Sequence, residues 1–160
     1  MKMPARILIA EDFDDNRELL RLMLESAGYS VRETRDGHEL IEAARAEPPD
    51  VLLIDLSMPN LDGWGALREL RADALTCSVP CIAVTAFAAE LDRERALAAG
   101  FDAYVTKPFR SADLVEAVEQ ILRAARNDQH TRAHDGTHTQ DGSHARDSGN
   151  LPVPNDGAQG

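Results

Sequence analysis

The sequence predicts an α/β domain in which a five-stranded parallel sheet carries helices on both faces. Three observations lead there. Short apolar runs recur, each bounded by turn residues: Ile7-Leu8-Ile9-Ala10, Val51-Leu52-Leu53-Ile54 and Cys81-Ile82-Ala83-Val84. Such runs read as strands buried on both faces. Between them lie stretches whose apolar residues fall at helical spacing. The two patterns alternate along the chain, as strand–helix–strand crossovers require.

Arg6–Ala10 is the first strand, and it runs into Glu11-Asp12. Asp15 and Glu18 have the spacing of a capping box, so the first helix is expected to start there. Leu19, Leu20, Met23, Leu24 and Ala27 form its apolar face, and Gly28 ends it. Residues 29–34 alternate polar and apolar, which suits an edge strand. Asp36-Gly37-His38-Glu39 turns into a second helix with Leu40, Ile41 and Ala44 inward, closed by Pro48-Pro49. Val51–Asp55 is the third strand. Asp62-Gly63 caps a third helix with Trp64, Leu67 and Leu70 inside. Pro80 precedes the fourth strand, Cys81–Thr85. A charged, weakly periodic fourth helix spans residues 88–99 and stops at Gly100. The fifth strand covers residues 103–107 and meets Pro108-Phe109. Ser111 is expected to cap the last helix, whose core face is Leu114, Val115, Val118, Ile121 and Leu122. Right-handed crossovers and an alternating second strand at an edge give the order 2-1-3-4-5, the flavodoxin-like doubly wound (βα)5 arrangement.

The chain has 160 residues, 43% of them hydrophobic and 28% charged, enough for one domain with a core. Its net charge of −11 argues against phosphate-backbone and anionic-membrane partners. So no nucleic acid and no membrane is expected. No secretory signal or membrane-length apolar run occurs, which fits a cytoplasmic protein. Cys81 opens a strand and reads as a core residue; Cys77 reads as a loop residue. A disulfide between them is the weaker alternative. From Asn127 the composition shifts: residues 127–160 hold no aromatic residue and half of the ten glycines. This stretch reads as a disordered polar tail rich in His, Gly and Asp, following a domain over residues 1–126. His130, His134, His138 and His144 could capture a metal. Without Cys or fixed geometry the solvated-tail reading is preferred.

In a parallel sheet all strand ends face the same way. Glu11 and Asp12 end the first strand, Asp55 the third, Thr85 the fourth and Lys107 the fifth. Ligands bind at that carboxyl edge in open α/β sheets. Converging carboxylates repel one another, and a hard divalent cation such as Mg²⁺ resolves the repulsion with oxygen ligands. Lys107 adds a positive charge and Thr85 a hydrogen-bond donor, together suited to a phosphoryl group. Asp55, in the middle, is placed as its acceptor. Any one of these residues alone would be an ordinary strand end or helix cap. All of them at the correct ends make coincidence improbable.

As an ordered set, Glu11-Asp12, Asp55, Met58-Pro59 with Asp62-Gly63, Thr85-Ala86 and Lys107-Pro108-Phe109 resemble the receiver domain of bacterial two-component response regulators, over about residues 4–126. The resemblance implies a stand-alone, single-domain switch phosphorylated on Asp55 by a histidine kinase or histidine phosphotransfer protein, with a downstream effector protein as partner. It implies that Glu11, Asp12, Asp55 and the Ser57 carbonyl hold Mg²⁺, Asp12 most directly. Asp55, Thr85 and Lys107 would serve the phosphoryl step. Thr85 and Tyr104 would be switch residues, and the Lys107-Pro108 bond would be cis. No enzyme activity beyond self-phosphorylation and autodephosphorylation is implied. Ser57 and Phe87 fall at positions that tune phosphoryl lifetime across the family. Gly65 departs from the usual pattern and is expected to weaken the third helix's first turn. A phosphorelay intermediate or phosphate sink is the alternative within the class. An aspartyl phosphohydrolase is disfavoured because Ser57 stands where a second Asp would act. A flavodoxin is disfavoured because residues 11–15 would repel a flavin phosphate.

Overall fold

Every apolar run marked above becomes a strand buried between helices. The computed structural model describes residues 3–86 and 90–135. In chain order these form β1 (Arg6–Ala10), α1 (Asp14–Ser26), β2 (Ser30–Thr34), α2 (Gly37–Ala46), β3 (Val51–Asp55), α3 (Gly63–Arg71), β4 (Cys81–Thr85), α4 (Glu90–Ala99), β5 (Ala103–Thr106) and α5 (Ser111–Asp135). All neighbouring strands are parallel, in the order β2-β1-β3-β4-β5. The doubly wound arrangement and the edge position of β2 are as expected.

The period-two alternation of strands splits the interior in two. Ile7, Ile9, Leu53, Ile82 and Val84 face one side and pack with Leu20 and Leu24 of α1 and with Leu114 and Val118 of α5. Leu8, Ala10, Leu52, Ile54, Cys81 and Ala83 face the other, against Leu40 and Ile41 of α2, Leu67 and Leu70 of α3, and Ala96 and Phe101. Trp64 packs at the margin of this second core, its ring 5.9 Å from Phe101 and edge-on to it. Each fully buried Leu or Ile contributes about 1.5–3 kcal/mol relative to an exposed one. The two cores hold the sheet rigid beneath the strand ends.

Helix starts follow side-chain chemistry with two corrections. Asp36 and Asp62 cap α2 and α3, accepting the amides of Glu39 and Gly65 at 2.8 and 2.9 Å. No Asp15–Glu18 capping box forms. The helix begins a residue earlier, at Asp14, and its N-cap Phe13 gives no side-chain hydrogen bond. Arg17 takes over that turn by pairing with Asp14. Likewise Ser111 does not cap α5. The Arg110 carbonyl accepts the Leu114 amide at 3.2 Å, so Arg110 is the cap and Ser111 the first helical residue. On α1, Leu19 is exposed, and Arg17 lies in the buried stripe with Leu20 and Leu24. Gly65 leaves room for Leu61: a Cβ there would lie 2.6 Å from its methyl carbon.

Helix α5 continues past Arg126 to Asp135, so residues 127–135 are helical where the composition suggested a disordered tail. Propagating an existing helix costs far less than nucleating one, and polar residues suffice for it. Residues 136–160, with the rest of the tail and His138 and His144, lie outside the described residues. Among the described residues no helix is long and apolar enough to cross a membrane.

Candidate functional site

Glu11 leaves β1 with its amide bonded to the Thr34 carbonyl at 3.1 Å, which keeps it in register with the sheet edge. It is only 1% exposed. Its carboxylate accepts from Asn16 Nδ2 at 3.3 Å and from Lys107 Nζ at 3.1 Å. Asp55, the last residue of β3, is 6% exposed. It accepts the Ser57 amide at 3.0 Å, and Lys107 Nζ lies 3.5 Å from its other oxygen. Asp12 is exposed at the mouth. Oxygens of Glu11, Asp12 and Asp55 lie within 4.8 Å of one another.

The electrostatics follow from this crowding. The Glu11 carboxyl is raised to about 7, first by burial and then by hydrogen bonding with Asp55 and by its charge, with Lys107 pulling the other way. One ammonium stands against three carboxylates. An all-oxygen cluster with excess negative charge is compatible with a hard divalent cation such as Mg²⁺.

Thr85 ends β4 fully buried, and its carbonyl accepts the Lys107 amide at 2.7 Å, tying the ends of β4 and β5 together. The peptide bond from Lys107 to Pro108 is cis. Tyr104 of β5 is half-buried and shares a side-chain hydrogen bond with Thr85. Burial, then the charge of Asp92, raises its phenol above the usual range. Ser57 is exposed and turns its amide toward Asp55. Phe87 lies outside the described residues.

The loop after β3 is shaped by two backbone requirements. Asn60 has a φ of 68°, a left-handed conformation that Asn tolerates better than most residues. At Gly63 a Cβ would stand 2.6 Å from the Asp55 carbonyl oxygen and 2.8 Å from the Leu56 Cα. Only glycine lets α3 start that close to the strand end bearing Asp55. Asn16 and Arg17, both of which hold Glu11, do not stand out in the sequence. Their signal was weak: charged and amide side chains in a first helical turn ordinarily face water.

The structure therefore gathers Glu11, Asp12, Asp55 and Lys107, with Thr85, Tyr104 and the Ser57 amide around them. Comparison with known proteins defines the class of α/β domain. The family model described as the response regulator receiver domain matches residues 7–119. The polar-differentiation response regulator DivK of Brucella anthropi is 36% identical over 120 residues, covering 75% of this chain and 98% of the relative. The receiver domain of sensor histidine kinase PA1611 from Pseudomonas aeruginosa, solved with a magnesium ion coordinated in the active site cleft, superposes with a TM-score of 0.70 at 38% identity. It covers 74% of this chain and 98% of that one. A putative response regulator from Chloroflexus aurantiacus gives a TM-score of 0.72 at 33% identity, covering 75% of this chain and 98% of that one. The chain belongs to the response regulator receiver domain family of two-component systems. Receiver domains act as phosphoacceptor switches and interact with histidine kinases or phosphotransfer proteins and with effectors.

Proposed function

We propose that this chain is a single-domain response regulator, phosphorylated on Asp55 by a histidine kinase or phosphotransfer protein and signalling through a phosphorylation-dependent protein contact. The observation that carries this is Asp55 itself: a buried carboxylate at the centre of the sheet edge, flanked by an ammonium and two further carboxylates.

In the proposed step an Asp55 carboxylate oxygen attacks the phosphorus of a phosphohistidine. The P–N bond breaks, its electron pair leaves on the imidazole, and an acyl phosphate forms on Asp55. Bound Mg²⁺ would offset the charge on the phosphoryl oxygens. Glu11, Asp12, Asp55 and the Ser57 carbonyl would hold it, Asp12 most directly. Lys107, 3.5 Å from Asp55, would pair with the phosphoryl oxygens once the Asp55 carboxylate has become a mixed anhydride. Thr85 donates its hydroxyl to the new group, and its hydrogen bond with Tyr104 passes the change to the β5 edge. The chain catalyses only its own phosphorylation and dephosphorylation. Residues 1–126 would suffice for this, with 127–160 dispensable.

Incubation with Mg²⁺ and acetyl phosphate tests it. Intact mass should rise by one phosphoryl group in wild type and not in Asp55→Asn. Equal labelling of both proteins would overturn the assignment.

A further inference from the structure

Arg17 is the one cation buried in the first helix. It is 8% exposed and shares the inward stripe of α1 with Leu20 and Leu24. One guanidinium nitrogen donates to the Glu11 carbonyl at 3.0 Å, and the other pairs with Asp14. The contact reaches back from the first turn of α1 to the residue that follows β1. Arg17 holds the Asp14 carboxyl below its usual range, by hydrogen bonding first and by charge second.

Burying a guanidinium is costly, and an apolar side chain of similar volume in such a stripe is often neutral or stabilising by comparison. Stability alone therefore does not account for Arg17. Its contact does. The Glu11 carbonyl and the Asp12 amide belong to one planar peptide unit, so fixing the first orients the second. The Glu11 amide is held by Thr34 and its side chain by Asn16 and Lys107. Without Arg17 the carbonyl would be the one untethered group of this residue, and the chain would pivot there just before Asp12. The N-cap Phe13 provides no side-chain anchor that could substitute.

We propose that Arg17 is a positioning residue: its buried guanidinium locks the Glu11–Asp12 peptide and thereby aims the Asp12 carboxylate into the cluster with Glu11 and Asp55. The proposal rests on the metal-binding role given above to these carboxylates. Arg is suited to the task because its fork bridges a carbonyl and a carboxylate at once, which the point charge of Lys does less well.

The test compares wild type, Arg17→Met, Arg17→Lys and, as a packing control on the same helix, Leu24→Ala. Three quantities are read: amide hydrogen exchange of residues 11–17 in metal-free protein, Mg²⁺ affinity by calorimetry, and melting temperature. Arg17→Met should speed exchange at positions 11 and 17, whose amides bond to the Thr34 and Phe13 carbonyls, and weaken Mg²⁺ binding by about tenfold, as loss of an outer-sphere partner does. Arg17→Lys should fall between. Leu24→Ala should lower the melting temperature yet leave Mg²⁺ affinity well short of the tenfold loss that an outer-sphere change brings. Wild-type exchange and affinity in Arg17→Met would overturn the proposal, as would equal affinity loss in Leu24→Ala. If Arg17→Met fails to fold, Arg17→Lys decides by the same criteria. Should wild type bind no Mg²⁺, the metal assignment fails by itself, and the exchange comparison still decides whether Arg17 fixes the loop.

Discussion

The two edges of the sheet handle charge in opposite ways. At the amino edge each carboxylate meets a guanidinium. Arg6 pairs with Glu47 and Asp50, Arg32 with Glu47, and Arg71 with Asp102. Two of these carboxylates also bind strand amides: Asp50 accepts from Arg6 and Asp102 from Cys81, at 2.7 and 2.8 Å. At the carboxyl edge, among the described residues, Lys107 alone pairs with Glu11 and Asp55, both buried, and Asp12 joins them in one cluster. The first edge is a set of finished contacts, half in water, that align strand starts. The second keeps an unbalanced charge out of water, which stability alone would not retain. That imbalance is compatible with a cation-binding site.

The difference predicts opposite signs for the same substitution. Asp102→Asn strips a partner from Arg71 and weakens the acceptor for the Cys81 amide, so it should destabilise by about 1–3 kcal/mol in chemical denaturation. Asp55→Asn relieves repulsion and should stabilise metal-free protein by about 1 kcal/mol, as loosening a functional site often does. Mg²⁺ should then raise the melting temperature of wild type more than that of Asp55→Asn. A destabilised Asp55→Asn would erase the contrast.

The pH profile sharpens it. Folding raises the Glu11 carboxyl from 4.5 to about 7, so the folded state binds this proton more tightly than the unfolded chain. The contribution is complete below 4.5 and is lost as pH rises through about 7. Metal-free wild type should therefore lose stability across that window, and Asp55→Asn should lose less, because Asp55 is part of the cause. Equal slopes in melting curves at several pH values would contradict the coupling.

Smaller effects belong to the amino edge and its neighbours. Arg6→Ala should cost no more than about 1 kcal/mol, since its pairs are half exposed. The cysteines should differ only in access. Burial pushes the Cys81 thiol up to about 12, while Cys77 is exposed. A thiol reagent should label Cys77 alone in the native protein and both after unfolding. Native labelling of Cys81 would show that β4 opens readily.

The strands and the site were legible for one reason. A parallel strand buried on both faces must be apolar throughout, so a charged residue after such a run stands out, as Asp55 does after Val51–Ile54. Lys107 carried a further signal: it and Lys2 are the only lysines in a chain otherwise supplied with Arg. The start of α1 was not legible, because Asp14, Asp15 and Glu18 all suit a first turn and the choice falls to Arg17. Its burial depends on the Glu11 carbonyl, a backbone group that sequence patterns do not register. Leu19 is exposed because helix phase places it about 100° from Leu20, off the stripe of Arg17, Leu20 and Leu24. The helical course of residues 127–135 was hidden because composition reports what a segment can bury, not what a preceding helix can extend.

The hydrogen bond between Lys107 and Glu11 joins residues 96 apart in the chain. During synthesis the carboxylates of β1 and β3 leave the ribosome long before the ammonium that faces them. Until Lys107 emerges and β5 docks beside β4, a nascent chain carries Glu11 and Asp55 without that cation. The bond thus ties completion of the carboxyl edge to translation of the last strand.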